Sequence, residues 1–177
     1  MTLHTRAGPA CLTGALLVLT TVLTTVLAAP PAASVSYAPA VQQNLQDRFG
    51  AAEGDALRAD ILAAISRQMG KLAMPPGTAV SVTVTDLAPT RPTRRQQSDE
   101  PTLDPLLTQY LGGAELHGVV HDAAGRALRT VQYRYFAPDL RAGSVARDPW
   151  ADAHLAIEGF AARLAAACKT LAAAPHS

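Results

Sequence analysis

The sequence predicts an α+β fold: two layers, with a mostly antiparallel four-stranded sheet and two helices on one face, in the order β-α-β-β-β-α. Three observations carry this. Residues 79–87 alternate, with Val80, Val82 and Val84 on one face and Ser81, Thr83 and Thr85 on the other, the period-two pattern of a half-buried strand. Residues 112–136 hold two runs rich in β-branched and aromatic residues around Asp122-Ala-Ala-Gly125, a hairpin whose glycine supplies the positive φ of the turn. Residues 55–72 and 148–171 repeat apolar positions at spacings of three and four, which marks one face of a helix. A sheet with one apolar face takes helices on that side and leaves the other to water.

The chain opens on a segment that reads as a secretory signal peptide, residues 1–28. Arg6 and His4 form the n-region, Leu12 to Leu27 the apolar h-region, and Val26-Leu27-Ala28 the cleavage site. Small residues at the cleavage site and an h-region short of the roughly 20 residues of a spanning helix favour cleavage after Ala28 over an uncleaved anchor. Retention of the segment would instead leave a domain tethered to the inner membrane. Residues 29–34 read as a Pro/Ala leader, residues 35–173 as one domain and 174–177 as a tail.

Val35-Ser36-Tyr37 alternates and reads as a short first strand. Residues 38–54 are ambiguous, because Leu45 and Phe49 share a helical face while Gly50 and Gly54 oppose a long helix. Leu57, Ile61, Ile65, Met69 and Leu72 then define a helix over 55–72, with Asp55 as cap and Pro75-Pro76-Gly77 as terminator. After the strand at 79–87 comes a long irregular segment, 88–111, with four prolines and a short helix expected at Asp104-Pro105. In the hairpin, Ala114, Leu116, Gly118 and Val120 share the core face with Val131, Tyr133 and Tyr135. Gly118 leaves room there for a bulky neighbour, one of the tyrosines. Asp148-Pro149 starts the last helix, whose stripe is Trp150, Ala153, Ile157, Phe160, Leu164, Ala167 and Leu171.

Composition narrows the function. Without Arg6, the mature chain carries 14 basic and 14 acidic residues, a zero balance that argues against a nucleic-acid binder held by a global positive field. Cys168 alone remains after cleavage, so an intrachain disulfide is excluded. Cys11 precedes the h-region and is not a lipidation site.

Catalytic and metal motifs do not emerge. His117 and His121 share a strand face but stand four residues apart, about 13 Å, too far to share one ion. Asp148, Asp152 and His154 resemble a histidine–carboxylate pair, yet capping and the helix dipole explain both aspartates. No Gly-x-Ser-x-Gly elbow and no phosphate-binding glycine loop is present, and no cofactor is called for. The remaining candidate binding residues are Arg91, Arg94 and Arg95, close together between prolines and able to grip a carboxylate or phosphate bidentately. Tyr110 stands at the far end of the same segment. Asp99 and Glu100 compete for the arginines.

Asp86 to Thr93, Gly112 to Gly118, and Trp150-x-Asp152-Ala153 with Phe160-Ala-x-Arg163-Leu164 resemble a group of uncharacterised proteobacterial periplasmic proteins of domain-of-unknown-function type. That resemblance covers most of the mature chain and implies no activity. The element order is distantly similar to the sheet-plus-two-helix modules of envelope assembly lipoproteins, such as the lipopolysaccharide-assembly lipoprotein and the N-terminal domain of the Tol translocation protein. Fold-level likeness does not carry function, and the chain lacks their lipidation cysteine.

The expected function is therefore a periplasmic or secreted, non-enzymatic binding or accessory module. Its partner is an envelope protein or envelope component, engaged through residues 88–111 or an exposed sheet edge. The alternative is a small periplasmic hydrolase with a site built on Glu115 and His117.

Overall fold

The computed structural model describes residues 31–140 and 148–172. The stretch read as a signal peptide, its expected cleavage site and the expected tail fall outside them. The elements are β1 (Ala32–Tyr37), α1 (Pro39–Asn44) running into a π-helical turn (Leu45–Phe49), α2 (Ala51–Met69), β2 (Ala79–Ala88), α3 (Arg94–Asp99), β3 (Gly113–His121), β4 (Ala127–Phe136) and α4 (Ala151–Ala172). The sheet runs in the order β1-β2-β3-β4. β1 lies parallel to β2, and the β2–β3 and β3–β4 pairs are antiparallel. This is the two-layer α+β arrangement expected from the alternation, with α2 and α4 packed on each other and over one face.

Several boundaries move. β1 begins at Ala32, inside the stretch read as leader, because pairing runs from Ala32↔Ala79 to Tyr37↔Val84. The second helix begins at Ala51, so Asp55 is not its cap; Asp55 instead accepts from Arg58 Nη1 at 2.9 Å. Gly54 lies within that helix, where Leu45 packs against it. The ambiguous stretch 38–54 resolves because Gly50, at φ 105°, ends the π turn with its N–H on the Leu45 carbonyl (2.8 Å). Positive φ is cheap there only for glycine.

The core lies between the helices and the β2–β3–β4 face. Leu57, Ile61, Ile65 and Met69 of α2, Val80, Val82 and Val84 of β2, Leu116 and Val120 of β3, and Phe160 and Leu164 of α4 belong to one buried cluster. Gly118 does accommodate a ring, but it is Phe160 of α4 rather than a strand tyrosine. Tyr133 packs on Gly159 of α4 instead. Asp148 Oδ1 accepts the Trp150 N–H (2.9 Å), the capping role its position predicts. Trp150 is buried edge-on against Phe49, with ring centroids 5.6 Å apart, and its Nε1 donates to Glu53 Oε2 at 2.7 Å. The end of the π turn is thereby fixed to the start of α4.

Candidate functional site: a cleft walled by residues 88–111

Residues 88–111 form a built wall rather than a solvated strap. Thr90 is its anchor. Its N–H donates to the Pro149 carbonyl (2.7 Å), its hydroxyl donates to Asp152 Oδ2 (2.9 Å), and the Asp152 N–H donates back to that hydroxyl (3.1 Å). Both residues are buried, so every polar atom in this lock needs its partner. The Tyr110 N–H closes on the Thr90 carbonyl (2.8 Å), drawing the far end of the segment back to its start. Between them, Thr93 begins the short helix α3 with a capping box to Gln96. The helix expected at Asp104-Pro105 is a single turn, in which Asp104 Oδ1 accepts the Leu106 and Leu107 N–H groups at 2.7 and 3.0 Å.

The three arginines have different surroundings. Arg91 is buried, only 4% exposed, and its Nη1 donates to the Leu106 carbonyl at 2.6 Å. Burying a guanidinium is costly unless its donors are used, so Arg91 braces the turn that carries the exposed Leu106 and Leu107. Arg95 lies on α3 with its Nε on Asp99 Oδ2 at 2.7 Å. Arg94 is exposed at the start of α3.

Tyr110 lines a cleft of roughly 630 Å³ between the π turn, the end of β2, α3 and the following loop. Its apolar walls are Phe49, Leu87, Pro89, Leu103 and Tyr110; its rim carries Asp47, Arg48, Asp99 and Glu100. None of the three arginines lines it. Arg48 lies over the Phe49 ring, 5.6 Å from the centroid, and Asp99 is engaged by Arg95. Asp47 and Glu100 are the carboxylates left to face a ligand, Glu100 with one hydrogen bond from the Thr102 hydroxyl (3.3 Å). The volume is that of a small-ligand or peptide-segment site, and a π turn in its wall is a feature frequent at functional sites. The sequence does not single out Phe49 and Asp47, which line the cleft, as site residues, because the π turn that presents them carries no simple spacing signal.

The other candidates are placed as follows. Glu115 is engaged across the sheet by Gln132 Nε2 (2.5 Å) and Arg134 Nε (3.4 Å), so it does not orient His117. The serine–histidine contact on the open sheet face is instead Ser81 Oγ to His121 Nε2, at 2.9 Å. His154 does pair with Asp148, Nδ1 to Oδ2 at 2.7 Å, and its Nε2 reaches Asp60 at 3.2 Å, whereas Asp152 is spent on Thr90. Among the described residues, no group of three or more His, Cys, Asp or Glu is placed to hold a metal ion, and no helix is long and apolar enough to cross a membrane.

No family model matches the chain, and no curated protein does. Among solved structures, a minor lipoprotein from Acinetobacter baumannii is similar at a TM-score of 0.31 and 12% identity, over 77% of this chain and 91% of that one.

Proposed function

We propose that the chain is an exported accessory module of the cell envelope, periplasmic or secreted, that binds an envelope protein or envelope component in this cleft and does not transform it. The signal-peptide pattern of residues 1–28 supports export. The observation that carries the binding reading is the cleft itself: a concave site with apolar walls and a few polar rim groups, held open by the Thr90–Asp152 lock and the Arg91 brace. Preorganised concavity of this kind lowers the ordering cost of binding. Tyr110 contacts the ligand, Arg95 fixes the Asp99 side of the rim, and Arg91 holds the wall.

The test is photo-crosslinking in intact cells from a reactive residue placed at Leu103, with position 163 on the exposed side of α4 as control. A discrete adduct from 103 and none from 163 is expected. No adduct from 103, or the same adducts from both, overturns the reading.

A further inference from the structure

Resting on the cleft as a ligand site, we propose that its ligand is an extended peptide segment, bearing apolar side chains and a lysine or arginine, that adds alongside the overhanging end of β2.

The sheet leaves a vacant edge at this corner. β1 accompanies β2 only as far as Tyr37↔Val84; the Ala38 N–H then closes on the Val84 carbonyl (2.9 Å) and the chain turns into α1. β2 continues past it to Ala88, paired with β3 on its other side. The direction of the backbone groups follows from the register. The Ala137 N–H bonds the Gly112 carbonyl (2.9 Å), which turns even-numbered residues of β3 toward β4 and odd-numbered ones toward β2. Gly113 and Glu115 therefore engage Ala88 and Asp86, and the polar groups of Leu87 face the edge β1 has vacated. The Leu87 N–H is taken there by Asp86 Oδ1 (2.8 Å), and the Leu87 carbonyl faces the same side as an acceptor.

This edge is one side of the cleft, since Leu87, Ala88 and Pro89 all line it. A strand laid in β1's line would donate an amide to Leu87 and drop alternate side chains between Phe49, Leu103 and Tyr110. Strand addition draws affinity from the main chain and selectivity from the pockets for alternate side chains. The rim sets the charge: Asp47 and Glu100 favour a cationic residue, while Arg48 is held over Phe49. A carboxylate rim over an apolar slot fits a basic, apolar segment and disfavours an acidic one.

Panning a random heptapeptide display library on the whole chain tests this, with Asp47→Lys/Glu100→Lys as the counter-surface. Both positions are exposed, so the variant keeps its core, which a thermal melt verifies. Enrichment of peptides alternating apolar residues with Lys or Arg is expected. The best synthetic peptide should bind the double variant about tenfold more weakly, and backbone N-methylation should cost about tenfold again. No enrichment over the counter-surface, enrichment of acidic peptides, or affinity that survives N-methylation overturns the assignment. If panning fails while Leu103 still crosslinks a lipid or glycan, the peptide assignment falls and the binding reading stands; if both fail, both fall.

Discussion

Phe160 of α4 occupies the space that a side chain at residue 118 of β3 would fill: a Cβ on Gly118 would stand 2.6 Å from Phe160 Cζ. Tyr133 of β4 stands equally close to a Cβ on Gly159. Helix and hairpin thus dock through two reciprocal ring-on-glycine contacts. Gly118→Ala should destabilise the domain by about 1–3 kcal/mol through overpacking, with much of the loss recovered in Gly118→Ala/Phe160→Leu. Urea unfolding of the single and double variants checks this.

Arg91 and Arg94 should behave oppositely. Arg91→Met withdraws a charged donor from the Leu106 carbonyl, a loss of about 1.5–3 kcal/mol. It should also raise amide exchange at Leu106 and Leu107. Arg94→Ala, at an exposed position, should stay within about 0.5 kcal/mol of the parent. Chemical denaturation paired with hydrogen exchange separates the two.

Burial against the helices pushes the Tyr37 hydroxyl from 10.0 up to about 12, and the hydroxyl donates to the Gly54 carbonyl at 2.6 Å. A folded-state value above the unfolded one means the contribution is whole below pH 10 and is lost as pH rises through about 12. Melting temperatures across that window should fall in the parent more steeply than in Tyr37→Phe.

Cys168 is fully buried, and burial raises its thiol above the usual range. A chain starting at Ala29 should therefore leave an aromatic disulfide reagent unreduced under native conditions and react with one equivalent in denaturant. Rapid native reaction would contradict the packing of α4.

The alternations at 79–87 and 112–136 and the stripes on α2 and α4 made the sheet and its covering layer legible, because periodicity reports which face is buried. The docking partner of Gly118 was not legible, since a missing side chain does not say which element fills the gap. Nor was the role of Arg91: three nearby arginines suggest one shared anion, and only the fold shows that one is buried under its own loop. The cleft was half legible. Tyr110 and the 88–111 segment point to it from one side. Asp47 and Phe49 reach it through a π turn, whose register carries no simple spacing signal.

Hydrogen exchange of the protein with and without solubilised envelope extract tests the cleft most directly. A ligand seated there should slow exchange in residues 44–49 and 85–111 and leave the exposed side of α4 unchanged. Uniform slowing, or protection confined to α4 or the open sheet face, would contradict a binding site in the cleft.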